Sequence, residues 1–318
     1  LADNARMMSY TDDVTNLAKE IMSHRIRMNN MAETVFRSQA RAEDRFGAHA
    51  GQSVTIEKYK KLDQNSTAIP ELTAMQVSSP QINEKNITVQ EYGGGVVYSR
   101  KAKNIAEYML DEKLQRLIEI NSTESMDTVA GTEYRTADVF WIPTGTAGAE
   151  TGTLDTDGTV STAATRNVSA QDFRLLSAHL KANKISKYDG SRWLAIMSPF
   201  AESALFTDVG ANGVLEQYKY DMPEVLIKGE IGTSWGFRFI TENNVLSSTL
   251  GTGTKQGEII VIGDDAVAEA LVEPETVAVD MWNFKRFFGI AWMATTGFGK
   301  VWTYSTDDNF QIVRFWST

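Results

Sequence analysis

The sequence predicts an α+β fold. Two long helical patterns precede Thr128, strand-like alternation surrounds and follows them, and the segments do not succeed one another as β-α-β units. Regular alternation would predict a parallel, doubly wound sheet; without it, helices and strands are mixed in one architecture. The chain has 318 residues, 42% apolar and 23% charged, enough to bury one large core or two modest ones.

Between Asp12 and about Gln39, Val14, Ile21, Met28 and Val35 recur every seven residues, with Leu17, His24 and Met31 interleaved. This heptad seam, with one polar member, predicts a single long amphipathic helix. The seam packs either on its own domain or on a neighbouring copy. Ser53–Tyr59 alternates as a strand does, and so does Asn86–Tyr92. Gly93-Gly94-Gly95 then reads as a bend or bulge before Val96–Ser99 resumes. Lys60 to Lys85 is polar and carries Pro70 and Pro80. The two strands and the stretch between them predict a long β arm with little core of its own. Long loops of this kind are usually functional or held by a partner.

A second long helix is expected from about Asn104 to Thr128, with Leu110, Leu114, Leu117 and Ile118 on one face. The Gly-, Thr- and Ala-rich segment Gly145–Thr165 reads as an exposed, mobile connection. Within it, Asp155-Thr156-Asp157-Gly158 opens like a calcium loop but lacks the later acidic ligands, so a plain turn is expected. Ser169 caps a predicted helix over Ala170–Asn183, with Phe173, Leu176 and Leu180 inward. Strands are predicted at Trp193–Met197, Gly236–Ile240 and Glu258–Ile262, then a short helix at Asp264–Ala270. Three further strands follow at Phe287–Ala294, Val301–Tyr304 and Phe310–Trp316.

The search for chemistry is largely negative. Net charge is −10, and no basic stripe of the kind that grips nucleic acid is present. The short clusters His24–Arg27 and Lys58–Lys61 read as solvated faces. With no cysteine there is no disulfide scaffold, thiolate metal site or thiol nucleophile. His24, His49 and His179 lie far apart, outside any metal-binding spacing. The triple glycine opens no phosphate loop, and no nucleophile elbow occurs. The pairs Asp12-Asp13, Asp264-Asp265 and Asp307-Asp308 read as turn or cap residues. No catalytic residue, metal or cofactor is therefore expected. No apolar run is long enough to cross a membrane, and Leu1–Asn4 carries no secretion signal.

The order of parts, and several local stretches, resemble the Hong Kong 97-type major capsid proteins of tailed bacteriophages. Glu91-Tyr92-Gly93 through Tyr98-Ser99-Arg100-Lys101-Ala102 is similar to that family's entry into its spine helix. Arg174–Leu180 followed by Trp193–Pro199 resembles its apical helix and strand. Gly229–Thr233 with Gly236–Glu242, and Phe288–Trp292 with Phe298-Gly299, resemble motifs of one branch. The resemblance spans roughly residues 50–318.

It implies an N-terminal arm over 1–52, an extended β arm (E-loop) over 53–99, a peripheral domain from 100–134 and 266–318, and an apical domain over 135–265. It also implies self-assembly into hexamers and pentamers of an icosahedral shell around double-stranded DNA, put together in the host cytoplasm. Portal, scaffolding and decoration proteins are the further partners it brings. The expected intersubunit contacts are Val14, Leu17, Ile21, Met28, Met31 and Val35 on the N-terminal arm, and Tyr59, Lys60, Lys61, Ile87 and Val89 on the β arm. The rival readings are an encapsulin-type compartment shell, distinguished by its contents, and a soluble enzyme, which would show buried acids converging in one pocket.

Overall fold

The computed structural model describes residues 32–43, 51–62, 64–71, 74–75, 77–105, 110–146, 149–207 and 232–318. The first half runs α1 (Phe36–Gln39), β1 (Arg41–Ala42), β2 (Ser53–Tyr59), β3 (Ile82–Thr88), β4 (Gln90–Ser99), α2 (Arg100–Ile105), α3 (Leu110–Tyr134), β5 (Val139–Thr146) and β6 (Ala149–Asp155). The second runs α4 (Ala170–Ala182), β7 (Trp193–Met197), α5 (Pro199–Thr207), β8 (Thr233–Ser234), β9 (Phe237–Thr241), β10 (Ile259–Ile262), β11 (Val267–Trp282), β12 (Phe287–Lys300), α6 (Tyr304–Asp307) and β13 (Ile312–Phe315).

Three sheets organise these elements. A seven-stranded mixed sheet has the order β6-β5-β13-β10-β7-β9-β8, a four-stranded sheet the order β1-β11-β12-β4, and β2 pairs with β3 alone. β7 contains no polar residue because the seven-stranded sheet is covered on both faces. Trp193, Ala195 and Met197 turn toward Phe173, Leu176 and Leu180 of α4, with Phe237, Phe239 and Phe315 beside them. Leu194 and Ile196 turn to the opposite core, which holds Ile260, Ile262 and Ile312 with Leu114, Ile118, Met126, Ala130 and Tyr134 of α3. That second core also takes Tyr98, Ile290, Trp292 and Phe298 from the four-stranded sheet. The long helix is thus packed against both sheets.

Buried polar groups fix the joints. Glu258, fully buried, accepts Arg135 Nε at 3.1 Å, Arg314 Nε at 2.7 Å and the Ser247 N–H at 2.8 Å, tying the end of α3 to β13 and the loop before β10. Asp172, also fully buried, accepts Trp141 Nε1 at 2.9 Å, both terminal nitrogens of Arg166 and the Ser169 N–H at 2.8 Å. The predicted cap of α4 is therefore reciprocal, with the third helical residue reaching back.

Several expectations are corrected. The predicted helix Asp12–Gln39 is described only from Ala32 onward, and there it is helical only over α1. Amides of this stretch are spent elsewhere. Ala32 N–H goes to Glu124, Glu33 N–H to Asn243 and Arg37 N–H to Asp127, at 2.9, 2.7 and 3.1 Å, so they cannot close helical turns. The triple glycine does not interrupt β4, which pairs with β12 straight through Gly93, Gly94 and Gly95. A Cβ on Gly94 would stand 3.0 Å from Trp292 Nε1 and 3.1 Å from Asn121 Oδ1, two groups hydrogen-bonded to each other at 3.0 Å. The glycine serves close approach, not bending.

The helix predicted to end at Thr128 continues to Tyr134, and Leu117, expected inside, is 48% exposed. Part of the expected mobile connection is β6, hydrogen-bonded to β5 along its length. Gly152 lies flat on Trp141 there, where a Cβ would come within 2.0 Å of the indole. Asp155–Gly158 is a turn, as expected: the Asp157 and Thr159 N–H groups bond to Asp155 and Asp157, and Gly158 has φ +83°. The predicted helix at Asp264–Ala270 is instead a turn, with Asp265 at φ +54°, and the start of β11. Its Ala-rich composition favours helix, but Ala268 and Glu269 are paired on both sides, to β1 and β12, and pairing prevails over propensity. Val301–Tyr304 is not a strand; α6 starts at Tyr304. β13 lies inside the seven-stranded sheet, between β5 and β10.

Candidate functional site

The β2–β3 hairpin has one face turned to the body and one to solvent. Ile87 on the inner face is 2% exposed, packed with Ala268, Ala270 and Val301, and Val54, Ile56, Val89 and Trp302 surround it. Ile87 and Val89 therefore pack the arm against its own chain. Val35 likewise packs into the core beside α3. Val14, Leu17, Ile21, Met28 and Met31, with His24 and His49, lie outside the described residues. His179, exposed on α4, meets Trp141 edge-on at 5.6 Å between ring centroids.

Lys58 is not part of a solvated face. It is 5% exposed, pairs with Asp307 and donates to the Val301 carbonyl at 2.9 Å. Burial alone would raise the Asp307 carboxyl, but hydrogen bonds from Lys58, the Thr303 N–H and Asn83 outweigh it and hold it below the usual carboxylate range. Past this root the arm is exposed. Tyr59 (64%), Leu62, Ile69, Met75, Val77 (89%) and Ile82 present apolar surface to solvent, and Lys61 is exposed beside Lys60, which pairs with Asp308.

A second surface was missed by sequence reasoning. β11 and β12 form a long hairpin whose tip, Asn283-Phe284-Lys285, is left-handed at three successive residues, with φ 54°, 54° and 63°. Phe284 there is 98% exposed. Val277, Val279 and Met281 alternate along β11 on one face, 48–61% exposed. β1 covers the outer edge of β11 only at Ala268 and Glu269, and among the described residues no strand pairs with that edge from Leu271 to Trp282. The available signal was the alternation Thr276-Val277-Ala278-Val279-Asp280-Met281. An open apolar edge and an outward aromatic tip are features that single subunits avoid and interfaces use.

Among the described residues the buried acids fall at several joints. Glu258, Asp172 and Asp307 each serve a separate structural joint. Asp127 and Glu242 lie at another, around Arg37 and Asn244. Among the described residues no group of three or more His, Asp or Glu could hold a metal, and no helix is long and apolar enough to cross a membrane.

No protein-family model and no curated protein sequence matches the chain. Solved structures do. The cyanophage Pam1 capsid asymmetric unit superposes with a TM-score of 0.69 at 12% identity, over 100% of this chain and 99% of that one. The chain has a phage-capsid fold. The acidic stable capsid of Helicobacter pylori bacteriophage KHP30 matches over 100% of both chains at 10% identity, with a TM-score of 0.68. The capsid of Ralstonia phage GP4 matches 95% of this chain and 96% of its own at 15% identity, with a TM-score of 0.64. The likeness therefore extends over nearly the whole length of the chain.

Proposed function

We propose that this chain is the major capsid protein of a tailed phage, with a structural and not an enzymatic role. Many copies close into an icosahedral shell around double-stranded DNA. The end-to-end likeness to phage capsid chains carries this reading. In Hong Kong 97-type terms, β2–β3 with residues 60–81 is the E-loop and α3 the spine helix. The four-stranded sheet belongs to the peripheral domain, and the seven-stranded sheet, including β13, to the apical domain. Residues 1–52 form the N-terminal arm. Closed symmetry removes the exposed β11 edge and the bare arm from solvent, as rings and shells do for any repeated sticky surface.

Hexamers and pentamers of the one chain are the building units, and the packaged DNA is enclosed without sequence-specific grip. Portal, scaffolding and decoration proteins are the further partners, and assembly takes place in the host cytoplasm before the protein resides in the virion. Tyr59, Lys61 and the apolar residues of 60–81 are the arm's contacts with a neighbour, and Val277, Val279, Met281 and Phe284 are those of the β11–β12 hairpin. Negative-stain micrographs of the purified protein test the reading. Closed particles tens of nanometres across, or discrete capsomers, are expected; a species that stays monomeric at high concentration with both surfaces ordered would exclude it.

A further inference from the structure

Two short sequence motifs meet in the structure. One is Lys58-Tyr59-Lys60-Lys61, at and after the end of β2; the other is Asp307-Asp308, at the end of α6. Lys58 and Lys60 stand two residues apart, so the extended chain sends them the same way. Each takes one of the two consecutive aspartates: Lys58 pairs with Asp307 and Lys60 with Asp308. The side chains of the inner pair are 5% and 2% exposed, those of the outer pair 31% and 70%.

The inner carboxylate is held from the other strand as well. Asn83 stands directly opposite Lys58 in the β2–β3 register. Its Nδ2 donates to Asp307 Oδ1 at 2.8 Å and to the Thr306 carbonyl at 3.0 Å. The Thr303 N–H completes the set on Asp307 Oδ2 at 2.9 Å. A hairpin tied to a body through one strand can roll about its own axis. One whose two strands converge on a single buried carboxylate, at one register position, cannot roll without breaking that site.

We propose that Asp307, gripped by Lys58 and Asn83, is a clasp that fixes the direction in which the β2–β3 arm leaves the body, with Lys60–Asp308 as its outer, salt-sensitive rung. The inner rung is all-or-none because either charge left alone would be buried without a counter-charge. The outer rung is solvated and screened. On the capsid reading, the clasp presets where the arm meets a neighbouring copy; its test needs no second copy.

The chain has no cysteine, so Ser78→Cys on the arm and Ala178→Cys on α4, both at exposed positions, give one labelled pair. Dipolar spin-label distances are measured on the dilute full-length chain, with amide exchange alongside. A single narrow distance distribution is expected for the parent. Asn83→Ala broadens it and Asp307→Ala broadens it further. In Asp307→Ala the amides of 53–59 and 82–88 exchange at least about tenfold faster while 193–197 keep their protection. Lys60→Gln at low salt reproduces the slight broadening of the parent at high salt. Unchanged distributions in both Asn83→Ala and Asp307→Ala would overturn the clasp. So would an equal loss of protection at 193–197, which would make the node general core support. Micrographs of the parent report on shell formation separately, so absence of particles there would remove the capsid reading and leave the clasp standing.

Discussion

Asp127 and Glu242 sit at the joint where the segment before α1 crosses α3, and burial raises the carboxyl of each above its usual range. Hydrogen bonds from Arg37 and Asn244 partly offset this for Asp127, and three backbone N–H groups, of Leu246, Val245 and Asn244, do so for Glu242. A carboxyl whose folded pKa exceeds its unfolded value favours the fold when protonated. That contribution is full below the unfolded pKa and lost as pH rises through the folded one. Asp307 has the opposite sign: its contribution is present above the unfolded pKa and lost only as pH falls through its depressed folded value. Acidification toward the usual carboxylate range should therefore tighten the joint at 242–246 and leave the root of the arm unchanged. Amide exchange corrected for intrinsic rates measures both, and loosening at 242–246 would contradict the assignment. Tyr134 gives a second test. Its ring is fully buried against Phe36 at 5.4 Å, and its hydroxyl has no hydrogen-bond partner. Tyr134→Phe removes a polar atom stranded in the core, so a gain of about 1 kcal/mol is expected in denaturant melts.

At the scale of elements, legibility followed the covering of faces. Trp193–Met197 and Ser53–Tyr59 were read to the residue. The first is an unbroken apolar run buried on both faces, and the second alternates cleanly because one face is wet. α4 was read from its cap and its inward stripe. β11 was missed because Val267–Glu273 has a helical composition and the strand is set by partners more than 20 residues away in sequence, such as Thr296 opposite Leu271. β4 and β6 were misread because their glycines answer to indole rings across the sheet, which local patterns do not contain. Which arm residues face solvent was half legible. Exposure at Tyr59 follows from alternation, whereas the inward turn of Ile87 depends on Gly299, where a Cβ would come within 2.7 Å of Ile87. The β11–β12 hairpin carries its own test. Val279→Asp with Phe284→Ser changes two outward side chains, so stability should move by no more than about 0.5 kcal/mol per site. Particle formation should nevertheless be lost in light scattering; particles forming at the parental rate would show that this hairpin is not a contact.

Across the whole molecule, net charge bears on the proposed assembly. Each copy carries −10, so on that reading assembly has to overcome mutual repulsion that salt screens over about 10 Å at 0.1 M. The concentration at which particles first scatter light should fall as salt rises from about 0.01 M toward about 0.15 M; a threshold rising steeply over that range would mean that attractive ion pairs dominate the contacts. The order of strands in the seven-stranded sheet bears on timing as well. Among the described residues β13 is the strand that joins β5 to β10 in that sheet's order, so the ladder between the β5–β6 hairpin and the β10-β7-β9-β8 half stays open until residues 312–315 exist. A ribosome adding about 5–20 residues per second needs roughly ten to thirty seconds to go from the end of β5 to β13. Throughout that interval the arm has been made but the body behind it has not closed. On the proposed capsid reading, a nascent chain would present its arm to neighbours only after residues 312–315 had closed that sheet behind it.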